Sequence, residues 1–378
     1  MPEPHDVKPL RGIRVVELAR VLAGPWCGQL LADLGAEVVK VERPGVGDDT
    51  REWGPPFVTG PDGEELGAAY YHSCNRGKRS VAIDIASAGG QAEVRALLSD
   101  ADVVIENYKV GGLVKYGLDP ARLRADFPRL IVCSITGFGQ TGPYAHRAGY
   151  DYIVQAMSGF MSLTGEPDGP PQKAGIAYAD IFTGMYSAVA ILAALRRRDV
   201  TGMGAHVDMA LLDSQVAVLA NQAANYLASG VVPKRMGNAH VNVVPYQVFA
   251  TADGQLVIAV GNDGQYRKLC GILGVPEWAD DPRFANNAAR LANRAELIPL
   301  LAAKIAAWDA QPLSLALEAE GVPAGPINDL AQVFADPQVQ ARGMRFRPEG
   351  ASIDGVASPI VIDGERMVAS TGAPPLAP

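Results

Sequence analysis

Short strand-like runs alternate with helical stretches through the first 140 residues, and this alternation confines the chain to an α/β architecture. Arg14 leads into Val15 to Leu18. Ala23-Gly24-Pro25 then opens an apolar-periodic stretch to Leu34, Gly35 closes it, and Glu37 to Glu42 follows as a second strand. The order repeats with Ser80 to Asp84, a helix near Gly90 to Ser99, Val103 to Ile105, a helix over Pro120 to Phe127, and Leu130 to Cys133. Strands separated by more than hairpin distance pair in parallel through right-handed crossovers. The first half therefore reads as a Rossmann-like open parallel sheet.

After Asp180 a helix places Ile181, Met185, Val189, Leu192 and Leu195 on one face, which reads as a core face. His206 to Met209 and a long helix from Leu211 toward Leu227 follow. The texture changes near residue 230. Tyr246 to Ala250, an Asp253-Gly254 turn and Leu256 to Val260 read as a hairpin. Helices near Tyr266–Leu273, Arg294–Trp308 and Leu313–Glu320 come next, so 230–330 is expected to be a smaller α+β domain. The remaining 331–378 reads as short strands and loops.

Of 378 residues, 48% are hydrophobic and 20% charged, enough for a sizeable core. Lys plus Arg number 33 against 41 Asp plus Glu, so the formal charge of -8 excludes a global basic field for nucleic acid or anionic lipid. Any anionic ligand must be held locally. Cys27, Cys74, Cys133 and Cys270 lie far apart with no metal-ligand spacing, which argues against a disulfide framework and a metal site. The N-terminal string Met1 to Pro9 lacks the pattern of an export or organellar leader, and the apolar run Met185 to Leu195 is shorter than a bilayer requires, so a cytoplasmic protein is expected.

Familiar catalytic motifs are missing. The turn after the first strand, Arg20 to Pro25, carries one glycine and a proline where a dinucleotide fingerprint needs glycines. Gly77-Lys78-Arg79-Ser80 lacks the upstream glycine of a P-loop. What stands out is a set of polar and cationic clusters where strands give way to loops: Arg20, Arg43, Asn75 to Arg79, Asn107 to Lys109 with Lys115, and Arg147. Ligands of open α/β sheets sit at those strand ends, and a polyphosphate anion suits the clusters. Each cation alone reads first as a solvated surface charge; only the joint pattern carries the ligand reading. Asp180, between Ala179 and the apolar helix, reads as an N-cap contributing about 1 kcal/mol. A capping carboxylate stays ionised and is then a nucleophile without a base.

The strings Leu10 to Pro25, Leu34 to Asp48, Asn75 to Ser80, Val104 to Tyr108 and Ala179 to Gly184 resemble the class III CoA-transferases (CaiB/BaiF), a family that also contains 2-methylacyl-CoA racemases. The likeness covers nearly the whole chain. It implies a large Rossmann-like domain from 1–229 completed by a returning 331–378, the small domain 230–330 between them, and an interlocked homodimer. Asp180 matches the catalytic aspartate. Arg20, Val21, Arg43, Asn75, Lys78, Asn107 and Lys115 match positions that hold coenzyme A, and Ala23 and Arg147 complete the expected cofactor-binding set. The chain ends at Pro378, where relatives usually run on into a Gly-x-His tail.

The resemblance implies substrates rather than a permanently bound cofactor: an acyl-CoA and a carboxylic acid, with neither nucleic acid nor membrane as partner. An aspartate carboxylate attacks a thioester to give a mixed anhydride, and the CoA thiolate then makes an aspartyl-CoA thioester. The backbone of Gly261 to Gln265, with Gly261 and Gly264, is expected to aid the oxyanions, or else is a plain loop. In the racemases a histidine partner occupies a Gly-His-Asp string. Here Gly149-Tyr150-Asp151 stands instead, and Tyr150 suits a hydrogen bond to an acid substrate better than proton abstraction.

Further strings, including Asp48 to Phe57, Gly237 to His240 and Gly321 to Asn328, look most like the branch that uses succinyl-CoA with dicarboxylic acids. Arg51, and with it His240, is the expected partner of the far carboxylate. The alternatives are a racemase and a non-catalytic CoA-binding protein.

Overall fold

Six strands form one fully parallel sheet in the order Lys78–Ala82, Glu37–Glu42, Arg14–Glu17, Val103–Glu106, Ile131–Thr136, His206–Ala210. The structure, a computed structural model, describes residues 8–378; Met1–Val7, and with them most of the string read for a leader, lie outside them. The chain starts in the middle of the sheet, builds outward to Lys78–Ala82, then returns to lay Val103–Glu106 on the other side of the first strand. That reversal creates a crevice beyond the carboxyl ends of Arg14–Glu17 and Val103–Glu106, where open α/β sheets hold ligands.

Side chains alternate across the sheet, and both faces are covered. Val15, Val38, Val103, Ile105 and Ile131 pack into one core, while Val16, Val41, Val104 and Val132 pack into another. Burial on both faces explains why the strands read as nearly continuous apolar runs.

The chain divides into two compact units. Among the described residues, the first comprises 8–161, 173–231 and 337–378; the second comprises 162–172 and 232–336. Within the first, the C-terminal segment is bonded back: Thr371 O accepts from Gly77 N, Val356 O from Arg76 Nη1, and the Asp33 carboxylate from Ala369 N.

The long helix Tyr178–Thr201 departs from its expected face. It exceeds the apolar run read from the sequence: it has 24 residues, and an 18-residue window within it has a mean hydropathy of 1.5, which by length and composition would suffice to cross a membrane. Its buried positions are mainly small, including Ala179, Thr183, Gly184, Ser187 and Ala188, with the larger Ile191 beside them; of the expected core stripe Leu195 is buried and Leu192 packs against the core, whereas Met185 and Val189 are exposed. Close approach to the helix Ala23–Asp33 is the reason. A Cβ on Gly184 would lie 2.7 Å from Ala23 O. Thr183 and Ser187 enter this seam by donating to Ala179 O and Thr183 O, each at 2.7 Å.

The continuous helix expected from Leu211 to Leu227 is two helices, Leu211–Ala217 and Ala220–Ser229, broken where Ala220 takes φ +45°. The second unit holds a three-stranded antiparallel sheet in the order Ala324–Pro326, Gln255–Ala259, Tyr246–Ala250, so the hairpin read from the sequence is present with a third strand added. Helices Asp263–Ile272, Arg294–Ile305 and Ala310–Ala319 bury Leu269, Leu297, Leu301 and Leu313 against it.

Candidate active site

At the sheet's reversal point a cleft of about 450 Å³ opens in the first unit, and Asp180 lies on its wall. Arg20, Val21 and Ala23 contribute from the turn after the first strand, Asn107 and Lys115 from the connection after Val103–Glu106, and Arg147 and Tyr150 from the loop before the helix Asp151–Met157. Eight of the residues singled out in the sequence, separated by up to 160 positions, thus share one surface.

The wall is held in a costly conformation. Val21 has φ +73°, a left-handed geometry unfavourable for a β-branched residue. Three contacts impose it. Asn107 accepts from Arg20 N at 3.0 Å and donates to Arg20 O at 2.6 Å, and the Asp48 carboxylate accepts from Val21 N at 3.3 Å. In this structure Asn107 shapes the turn rather than standing free. Opposite it, the loops through Gly137 and Gly149 cross so closely that a Cβ on Gly137 would lie 2.5 Å from Gly149 Cα. Arg147 rests over the Tyr144 ring at 4.6 Å, and Arg20 lies over Tyr108 at 6.0 Å with its Nη1 donating to Asp49 Oδ2 at 2.7 Å, so two guanidinium groups stand at the rim, one of them already paired with a carboxylate.

Asp180 is not the N-cap expected from its position. The helix begins at Tyr178, so Asp180 falls in its first turn, and the flanking Ala177 offers no side-chain cap. The carboxylate that serves the helix start is Asp151, whose Oδ1 accepts from Ala179 N at 2.8 Å while Oδ2 accepts from Gln155 Nε2 at 2.7 Å. The ionisation expected of a cap is corrected as well. Burial, and after it the negative charge of Asp151, pushes the Asp180 carboxyl up to about 7, against the favourable helix start. Tyr70, in the short helix Ala69–His72, is pushed up to about 12 by burial and then by the charge of Asp180, so its hydroxyl keeps its proton. No sequence signal marked Tyr70; Asp151 stood in a quoted string without a role.

Other candidates are placed elsewhere. Asn75 and Lys78 are buried under the cleft: Lys78 Nζ donates to Glu17 at 3.0 Å, Pro25 O at 2.8 Å and Asn75 Oδ1 at 2.9 Å, which engages all three of its protons. Arg43 is exposed and does not line the cleft.

Arg51, expected to bind a substrate carboxylate, is closed onto an internal one. Its Nε and Nη2 bond both oxygens of Glu42 at 2.9 and 2.7 Å, Nη2 also meets Tyr71 Oη at 2.6 Å, and the guanidinium stands 3.7 Å over the Tyr71 ring. Burial opposes the charge on Glu42, but the bonds and charge of Arg51 prevail and hold its carboxyl below the usual range. Arg51→Ala is therefore expected to cost about 3 kcal/mol or more in chemical denaturation, because it strands a buried charge. It should slow transfer to mono- and dicarboxylic acids by the same factor; a loss confined to dicarboxylic acids would restore Arg51 to substrate recognition.

Three candidates lie in the second unit. His240 Nδ1 accepts from Asn242 N at 3.0 Å and its ring rests 5.1 Å from that of Tyr246. Gly261 N donates to Gln265 Oε1 at 2.8 Å. Gly264 is exposed in the first turn of Asp263–Ile272, whose cap is Asn262. Arg290 anchors this turn from full burial, bonding Asp263 at 2.7 Å, Val244 O at 2.7 Å and Phe284 O at 3.0 Å.

Residues 10–377 match CoA-transferase family III. The chain belongs to that family. With named CoA-transferases among its relatives at high identity over most of the chain, it is a CoA-transferase, with a CoA thioester and a carboxylic acid as its substrate classes. It is 61% identical over 362 residues to a succinate–glutarate CoA-transferase of Agrobacterium fabrum, covering 95% of this chain and 90% of that one. It is 44% identical to a human succinyl-CoA:glutarate CoA-transferase over 94% of this chain and 80% of the other. A crystal structure of a CaiB/BaiF family protein from Brucella suis superposes with a TM-score of 0.87 at 57% identity, covering 98% of this chain and 96% of that one. The Rossmann-like reading of the sequence agrees with this fold.

Proposed function

We propose that this CoA-transferase moves CoA from succinyl-CoA to a second dicarboxylic acid, glutarate being the first to test, with Asp180 as the covalent carrier. The observation that carries the reading is a carboxylate of raised basicity on the wall of a cation-rimmed cleft at the sheet's reversal point. The names of the relatives supply the donor and the acid class: they include transferases for glutarate, mesaconate and D-citramalate.

In the ionised form, Asp180 attacks the thioester carbonyl, and the C–S bond breaks to leave a mixed anhydride and CoA thiolate. The thiolate attacks the aspartyl carbonyl, the C–O bond breaks, and succinate departs with its electron pair, leaving an aspartyl-CoA thioester. The acceptor carboxylate reverses both steps. Tyr70 donates to the developing oxyanion near Asp180, while Arg20, Lys115 and Arg147 hold the anionic coenzyme and the clamped Arg20–Val21 peptide lines its path. Neither step requires a general base once Asp180 is ionised. Tyr150, 67% exposed on the cleft where the racemases carry histidine, favours transfer over proton exchange. Hydroxylamine trapping with succinyl-CoA and a panel of acids tests the reading: the adduct maps to Asp180 and glutarate accepts CoA, and an adduct elsewhere overturns it.

A homodimer accompanies this proposal. Met185 and Val189 on the long helix and Leu227 on Ala220–Ser229 are 44%, 62% and 81% exposed, an apolar display that suits a second copy of the chain. Sedimentation at micromolar concentration is expected to give twice the 39.8 kDa chain mass, and a monomer would refute the dimer.

A further inference from the structure

We propose that Asp151 is a positioning residue for the transfer: pinned at the first turn of the helix that carries Asp180, it holds a fixed negative charge whose repulsion is relieved whenever Asp180 is acylated. This rests on the reading of Asp180 as the covalent carrier. Asp151 and Asp180 are 29 positions apart, yet the Asp151 Oδ1 bond to Ala179 N attaches one carboxylate to the residue next to the other. The second oxygen is fixed by Gln155 Nε2, and Gln155 is itself fully buried with its Oε1 accepting from Ala174 N at 2.8 Å. Asp151 therefore cannot swing away from Asp180 without breaking both bonds.

The surroundings of Asp180 make this charge matter. Asp151 faces it from the start of Asp151–Met157, and Tyr70 approaches from Ala69–His72. The cations Arg20, Lys109, Lys115 and Arg147 share the cleft, together with the phenols of Tyr108, Tyr116 and Tyr150. The influences on the Asp180 charge are burial first and Asp151 second, both unfavourable. Protonation removes that charge, and so does acylation. When Asp180 attacks the thioester its negative charge ends on the CoA sulfur. When the thiolate then attacks the aspartyl carbonyl and the anhydride C–O bond breaks, the charge ends on the departing donor acid. Asp180 stays neutral through both covalent states, so Asp151 stabilises them relative to the free ionised enzyme by the same repulsion that raises the proton affinity of Asp180.

A quantitative equality follows. Asp151→Asn keeps an oxygen to accept from Ala179 N and removes the charge. The acid limb of the kcat/KM profile for succinyl-CoA is expected to move to lower pH by about one unit, and the ratio of Asp180 thioester to free enzyme, trapped at a fixed succinyl-CoA to succinate ratio above pH 8, to fall by the matching factor of about ten. Asp151→Glu, which retains the charge, should move both much less. Asp151→Ser, a smaller neutral cap, repeats the measurement if the asparagine variant does not fold. An acid limb that stays in place, or one that moves while the thioester ratio does not, overturns the proposal. An Asp180→Ala variant that still transfers CoA overturns the function reading itself, which is a separate outcome.

Discussion

Asp180→Ala is expected to lower CoA transfer from succinyl-CoA to glutarate by at least about a thousandfold and to abolish the hydroxylamine-trappable adduct, because the variant has no carboxylate to carry the acyl group and no other group takes its place. The same substitution should raise thermal stability. The Asp180 carboxyl is pushed up to about 7 in the folded chain, whereas an unfolded Asp ionises near 3.9. The folded state therefore binds the extra proton across that interval, and ionising Asp180 destabilises the fold. This cost is absent below about pH 4, where both states are protonated; it grows as pH rises toward 7 and is constant above. The Tm of Asp180→Ala should accordingly exceed that of the parent at pH 8, with the difference shrinking as pH falls toward 5. In the parent enzyme, kcat/KM should fall with a slope of one as pH drops below about 7. An alanine variant that retains activity, or a Tm difference that widens at low pH, would be the contrary result.

Glu17→Ala is expected to cost about 3–5 kcal/mol in chemical denaturation, the largest effect on stability among these substitutions. Glu17 ends the first strand and accepts from Lys40 Nζ at 2.9 Å and Lys78 Nζ at 3.0 Å, all three side chains being fully buried. Lys40 also pairs with Asp48 at 2.9 Å, so two carboxylates and two ammonium groups balance one another. The two lysines differ. Lys40, with two carboxylates, holds its proton above the ordinary range despite burial, whereas burial prevails for Lys78 and draws it below. Removing Glu17 leaves Lys78 without a counter-charge, and Glu17→Ala combined with Lys78→Met should recover part of the loss. The network also supports the cleft: Lys40 donates to Ala19 O, and Asp48 holds Val21 N in its left-handed turn. A single variant within 1 kcal/mol of the parent, or a double variant no better than the single, would show that these charges are not balanced through Glu17.

Much of the fold was legible because its cues are local. Short, nearly continuous apolar runs alternating with helical stretches mark the strands of the main sheet, and the change to a hairpin near residue 246 marks a different texture in the second unit. Local cues that fit two environments mislead. The apolar stripe Met185–Val189 reads as core from its period alone, yet the seam against Ala23–Asp33 needs small side chains, and only the neighbouring helix reveals that. The site was half legible for a related reason. A cation after a strand is visible as such, and Arg20, Lys115 and Arg147 share the cleft. Arg51, Asn75 and Lys78 carry equally suggestive chemistry and are engaged internally.

The alternation of strands and helices, the parallel pairing it implies and the chemical type of the residues at the strand ends follow from patterns a few positions long, which the chain alone carries; the strand order and the crevice at its reversal were decided by the tertiary structure. Which charges are free and which are paired was decided there too, because Glu17 with Lys78 and Asp151 with Ala179 are joined across 61 and 28 positions. The proton affinity of Asp180 is of the second kind. Its position at a helix start argues for ready ionisation, but burial and the approach of Asp151 act through space, and in a medium that screens poorly they outweigh it.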